Sequence, residues 1–210
     1  MTTETAAQYP STGCRPGALT LPQVRAALIL LTRADLPLAA IADTGHIVRS
    51  GAYLDPRSHT GEVVLSYESE WADWVFNRSH ADRMRRATVT KEAADSYRRL
   101  FADETDWQVT ECADPNTGGP LPRFILKPPA FTCEVFVSPR AGHCTAPAVR
   151  VIHSAATPAD RMLVCEAHPR TVNQFTAPGW TTTTPAEYGA AHGAITQDAP
   201  IIGGRRAPQD

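Results

Sequence analysis

The stretch that most constrains this chain is CEVFVSPRAGHCTAPAVRVIHSAATPADRMLVCEAHPRTVNQF, residues 133–175. It holds three of the five cysteines, Cys133, Cys144 and Cys165, with His168 three positions after the last. Large apolar side chains are fewer here than in the preceding part of the chain. A segment of this size has too little core to fold on hydrophobic burial alone. Either its thiols and imidazole converge on a metal ion, or the cysteines are small buried side chains in a fold held some other way.

The local pattern favours the metal. AVRVI (148–152) reads as a strand, SAATPAD as a turn and RMLV (161–164) as a returning strand. CEAHPRTVNQF then reads as a short helix opening at Cys165, with Pro169 in the first turn, where a missing N–H costs little. Cys165 and His168, at i and i+3, project from one face of that turn. Cys133 and Cys144 precede the hairpin. Together the four make Cys3His, a closed set suited to a tetrahedral structural Zn²⁺. No export signal is visible, so the cysteines are expected to stay reduced, with a Cys133–Cys144 disulfide the minor alternative.

Here the chain resembles a family. Knuckle, hairpin, then a helix giving the last two ligands is similar to the treble-clef zinc-finger arrangement. CTAPAVRVI…RMLVCEAHP resembles the Cys-Gly-x-Pro-Ala…Leu-Cys-x-x-His pattern of small zinc-binding proteins from actinobacteria and their phages. The resemblance implies Zn²⁺ held by Cys133, Cys144, Cys165 and His168. It covers Cys133 to Phe175 and nothing before. One departure stands out: the family's first pair is usually Cys-x-x-Cys, whereas ten residues separate Cys133 from Cys144. Either the knuckle carries EVFVSPRAGH as an insertion, or His143 replaces one cysteine, or the fold persists without its metal.

Upstream, TLPQVRAALILLTRADLP (20–37) predicts a helix capped by Thr20 and stopped by Pro37. Its apolar residues recur at 24, 27, 28 and 31. HIVRSGAYL (46–54) and GEVVLSYES (61–69) read as an antiparallel hairpin, followed by an irregular piece with Trp71, Trp74 and Phe76. A second helix is expected in 80–104, weakened at TVT (88–90), where Thr90 could cap a shorter one. Its stripe is Ala93, Ala94, Tyr97, Leu100 and Phe101. DWQVTEC (106–112) and PRFILKPP (122–129) read as two more strands across a DPNTGG turn. The order α-β-β-α-β-β implies an α+β unit. The expected organisation is therefore a disordered leader at 1–19, an α+β domain at 20–129, a treble-clef-like zinc unit at 130–176 and an extended or disordered tail at 177–210.

Charge narrows the function. The net charge is -2, with 14 Lys+Arg against 16 Asp+Glu in residues 1–130 and 6 of each beyond. Neither part has the basic excess that phosphate neutralisation demands, which disfavours nucleic acid as the partner. The 18 arginines and two lysines suggest a GC-rich source such as an actinobacterium or its phage. The longest apolar run, AALILL, is too short to span a bilayer, and a cytoplasmic, membrane-free protein is expected.

Catalytic signatures are missing. His-x-Glu…Pro-Cys-x-x-Cys and His-Glu-x-x-His are absent, as are Walker and Gly-x-Ser-x-Gly sequences. His46, His59 and His80 sit in polar surroundings near Asp43 and Asp55 and read as surface residues. Arg83, Arg85 and Arg86, with Asp82, Glu92 and Asp95 nearby, read as a solvated helix face. The leading expectation is a non-enzymatic, zinc-stabilised binding or adaptor protein, phage- or mobile-element-encoded, with another protein as partner. The alternatives are a nucleic-acid-binding regulator using the zinc unit, and a zinc or thiol hydrolase centred on Cys165 and His168, with Glu166 between them.

Overall fold

The computed structural model describes residues 13–42, 46–57, 61–69, 79–168, 178–195, 201–202 and 205–206. Trp71, Trp74, Phe76, Asp43, His59 and residues 1–12 lie outside these. The chain divides into two compact units, Met1–Pro128 and Pro129–Asp210. Both mix helix and antiparallel sheet, which is an α+β organisation.

In the first unit, Gly13–Leu19 carries defined structure where a disordered leader was expected. Cys14 is buried and bridges in parallel to Leu54. Pro16–Thr20 forms a 3₁₀ turn closed by the Thr20 hydroxyl, which donates to the Gly17 carbonyl at 2.9 Å. Thr20 is thus engaged one turn early and does not cap α1 (Pro22–Arg33), whose N-cap is Leu21 with no side-chain bond. Val24, Ala27 and Leu31 of the expected stripe are buried, with Ala26 and Leu30 beside them. The helix ends before Pro37 is reached. Asp35 adopts φ 53°, and the N–H groups of Asp35 and Leu36 reach back to the Thr32 and Leu31 carbonyls. That is a Schellman stop built on a residue tolerant of the left-handed region.

The sheet of this unit comprises β3 (Gly51–Pro56), β4 (Val63–Glu68), β5 (Gln108–Ala113) and β6 (Pro120–Lys127), in the order β3-β4-β6-β5, all antiparallel. The expected strand 46–54 is split. Ile47–Arg49 (β2) pairs with Ala40–Ile41 (β1), and only the part from Gly51 joins β4. Gly51 explains the break: a Cβ there would overlap the Pro37 and Leu38 backbone, so only glycine allows the close approach. Ala52, Leu54, Val63, Leu65, Phe124 and Leu126 alternate onto the buried face. The opposite face lines an open groove of about 420 Å³ with Tyr53, Asp55, Ser66 and Arg123.

Helix α2 runs unbroken from His80 to Arg98, then widens into a π-helical turn, Arg99–Asp103. Ser79, not Thr90, is its cap, accepting from the Asp82 N–H. The Thr88 hydroxyl donates to the Met84 carbonyl at 3.1 Å, so the β-branched TVT run is absorbed within the helix. Tyr97, Leu100 and Phe101 are buried, and Phe101 meets Trp107 edge-on at 5.5 Å.

In the second unit, the β7–β8 hairpin (Phe136–Ser138, Gly142–His143) precedes β9 (Arg150–Ser154) and β10 (Arg161–Val164). The tail departs from its expected extended or disordered state. Trp180–Thr183 is a strand, β11, that pairs with β9 to give the order β10-β9-β11. Pro185–His192 is a helix, α3. Val151 and Leu163 pack with Tyr188 and Ile195 on one side of the sheet, while Ile152, Met162 and Val164 pack on Val135 on the other. Ile201–Ile202 (β12) and Arg205–Arg206 (β13) pair as a short ladder. Among the described residues, no helix is long and apolar enough to cross a membrane.

Candidate metal centre

Two backbone arrangements bring the thiols into register. The segment Thr132–Cys133 bridges to the chain after Cys144: the Cys133 N–H donates to the Ala146 carbonyl, and Thr132 pairs with Pro147. The ten-residue spacer therefore forms the β7–β8 hairpin, and its two ends return to one place. On the other side, the Glu134 N–H donates to the Leu163 carbonyl at 2.8 Å, and the Leu163 N–H donates to Glu134 Oε2 at 2.8 Å. These bonds set Cys133 beside the end of β10, directly next to Cys165.

Sγ of Cys133, Cys144 and Cys165 and a ring nitrogen of His168 all lie within 4.8 Å of one another. Cys144 Sγ is 3.8 Å from Cys165 Sγ. His168 Nδ1 is 3.1 Å from Cys165 Sγ and 3.7 Å from Cys133 Sγ. No pair is bonded as a disulfide, since all five cysteines are free thiols. Cys133 and Cys165 are buried, and Cys144 and His168 are half-buried. A Cys3His cluster of this compactness can hold a metal ion.

His143 is not among the four residues whose ligand atoms converge, and its Nδ1 lies 3.2 Å from the Glu134 carbonyl oxygen. Glu166, between two cluster residues, is exposed on the turn after Cys165. The helix expected to open at Cys165 begins as a turn, with the His168 N–H donating to the Cys165 carbonyl at 3.2 Å. Its continuation from Pro169 lies outside the described residues. His46, His80 and Asp55 are exposed in the first unit, as are Arg83 and Arg85.

Two of the sulfurs accept backbone hydrogen bonds. The Cys165 N–H donates to Cys133 Sγ at 3.3 Å, and the Ala146 N–H donates to Cys144 Sγ at 3.5 Å. Burial pushes the Cys165 thiol up, but His168, the Ala167 N–H and the other two thiols together outweigh it and bring it down to about 7. Cys133 goes the other way. Its burial, with the neighbouring Cys165 sulfur adding to it, raises the thiol to about 11 against the pull of the Val135 and Cys165 N–H groups. Crowded, buried thiols that cannot all ionise alone are a setting in which a cation changes the balance.

One residue that supports the cluster has no sequence signal. Glu134 is buried, holds the Leu163 N–H and pairs with buried Arg161 at 3.4 Å. Sequence alone shows a lone acid in an apolar run and an arginine opening a strand. Comparison of the chain with protein-family models, with curated proteins and with solved structures finds no match.

Proposed function

We propose that the cluster is a structural Zn²⁺ site and that the chain is a non-enzymatic binding protein, an adaptor toward another protein. The observation that carries the metal is the mutual approach of four ligand atoms within 4.8 Å. Zn–S bonds of about 2.3 Å and a Zn–N bond of about 2.0–2.1 Å in a tetrahedron put sulfurs about 3.8 Å apart and sulfur and nitrogen slightly closer. The Cys144–Cys165 separation of 3.8 Å and the Cys133–His168 separation of 3.7 Å lie close to those edges, and the Cys165–His168 separation of 3.1 Å is shorter than its edge. Hard cations are poor occupants, because the set offers three soft sulfurs and no oxygen.

The structural role rests on closure and position. Four protein ligands leave no open coordination site for a substrate. Cys165 is 4% exposed, so the thiolate most easily formed is shielded from an incoming carbonyl or phosphoryl group. The ligands come from three places in the chain, before β7, after β8 and after β10, so an ion there would tie the β7–β8 hairpin to the β9–β10 hairpin. That order of knuckle, hairpin and terminal ligand pair supports the treble-clef reading. The balanced charge supports a protein partner over nucleic acid.

Protein purified without added metal should contain about one zinc per chain. Chelation should lower its melting temperature. Zinc absent from the purified protein, together with a melting curve indifferent to chelator, overturns the metal reading. A salt-dependent shift of DNA or RNA in a gel overturns the choice of partner.

A further inference from the structure

The three sulfurs of the cluster are not alike. Cys133 is 3% exposed and Cys165 4%, whereas Cys144 is half-buried, so an oxidant from solvent meets Cys144 first. Cys133 Sγ accepts the Cys165 N–H at 3.3 Å, a bond between distant parts of the chain. The bond that Cys144 Sγ accepts, from the Ala146 N–H at 3.5 Å, is local. Cys144 and Cys165 Sγ stand 3.8 Å apart. A disulfide needs about 2.05 Å, so a closing movement of less than about 2 Å joins these two sulfurs. The two residues also end different hairpins. Cys144 follows β8, its N–H donating to the Val135 carbonyl at 2.9 Å, and Cys165 follows β10.

We propose that Cys144 and Cys165 are a redox pair, which hydrogen peroxide oxidises to a disulfide with loss of the metal. The proposal rests on the zinc reading of the cluster. The Cys144 thiolate attacks one peroxide oxygen. The O–O bond breaks, a sulfenic acid forms on Cys144, and the other oxygen leaves as hydroxide, which a proton converts to water. The Cys165 thiolate, 3.8 Å away, then attacks the Cys144 sulfur. The S–S bond forms, the S–O bond breaks, and the second hydroxide takes a second proton. Two thiolates, one hydrogen peroxide and two protons thus give one disulfide and two waters. Cys133 and His168 are left as a two-ligand remnant, too few to hold zinc as a closed set does. A thiol reductant reverses the bond and restores the four ligands. The crosslink joins the same two hairpins that an ion would tie, so oxidation removes the metal without releasing them.

The test uses the full chain as purified, with its zinc content measured at the start. Hydrogen peroxide is added in molar excess beside a zinc-binding dye, the remaining thiols are alkylated, and the chain is digested with trypsin. Arg140, Arg150 and Arg161 place Cys133, Cys144 and Cys165 in three separate peptides, so each crosslink has its own mass. Peroxide should link the Cys144 and Cys165 peptides and leave Cys133 alkylated. Bound zinc should fall from about one per chain to near zero as fast as the link forms. A thiol reductant with added zinc should restore both. The oxidised, zinc-free chain should melt above the reduced chain in chelator. A link through Cys133 or Cys112, Cys144 oxidised to a sulfinic acid without a link, zinc lost before any link, or a chain that peroxide leaves unchanged would each overturn the pair. An oxidised chain that melts no higher than the reduced, chelated one would overturn the crosslink as a substitute for the ion. Zinc absent at the start counts against the metal reading alone, because the link is scored on its peptides with or without metal, so the two readings fail separately.

Discussion

The backbone N–H of Cys165 donates to Cys133 Sγ over 3.3 Å, across 32 residues of chain. That bond, with the reciprocal bonds of Glu134 and Leu163, makes Cys133 part of the β10 terminus rather than a distant thiol. Cys133→Ser should therefore cost both a ligand and a sulfur acceptor. Bound zinc should fall well below one per chain, and stability should drop by several kcal/mol, on the order of what metal coordination contributes to a small unit. Cys112→Ser, at a half-buried position on β5, is the control and should stay within about 0.5 kcal/mol of the parent. Metal analysis with denaturant melts of both variants checks this; equal effects would remove Cys133 from the site.

The opposite shifts of Cys165 and Cys133 give the metal-free protein a distinctive pH profile. Cys165 falls from 9.0 to about 7 in the folded chain. A depressed acid stabilises the fold above its unfolded value and loses that stabilisation as pH falls through the folded one. Stability should thus climb from pH 7 to 9.0. Cys133 rises from 9.0 to about 11, and a raised acid favours the fold below 9.0 and loses that as pH climbs toward 11. Melting temperatures in chelator should therefore peak near pH 9.0. A monotonic decline from pH 7 upward would show that Cys165 is not held as a thiolate.

Glu134 and Arg161 offer a separate test of the second unit. Both are buried, and Glu134 also satisfies the Leu163 N–H. Glu134→Ala leaves a buried cation and an orphaned donor and should cost about 3–5 kcal/mol. Glu134→Gln keeps an acceptor for Leu163 and should cost less. Combining Glu134→Gln with Arg161→Met removes the stranded charge and should recover part of the loss. Additive losses in the double variant, read from denaturant melts, would mean that the pair is not coupled.

The elements legible in the sequence were those with strong periodicity. The stripe of α1 and the runs of β4, β9 and β10 match their packing, because burial itself writes that pattern. Cys133 was read as a ligand beside Cys144, Cys165 and His168, but its convergence with Cys144 was left open. That convergence depends on how EVFVSPRAGH folds back as a hairpin, and spacing alone left His143 as a rival. The split of 46–54 at Gly51 turns on a tertiary approach of the Pro37 backbone, which no local rule reports. Helix α3 is different, because its signal was present. Thr184-Pro185-Ala186-Glu187 is a capping box with proline in the first turn, hidden in a segment rich in threonine and alanine.

That capping box carries the last prediction. The Thr184 hydroxyl accepts from the Glu187 N–H at 3.3 Å, and Glu187 Oε2 accepts from the Thr184 N–H at 3.0 Å. Helix α3 spans only Pro185–His192, too short to persist without caps and packing. Thr184→Ala should cost about 1 kcal/mol, and Thr184→Asp should largely preserve the helix, since Asp caps equally well. The effect should spread beyond the helix. Tyr188 and Ile195 pack on Val151 and Leu163, so loosening α3 uncovers one side of the β9–β10 hairpin. Hydrogen exchange should therefore quicken in β9 as well as in α3 for Thr184→Ala, with the metal cluster still loaded. Exchange confined to residues 185–192 would show that α3 frays without supporting the sheet.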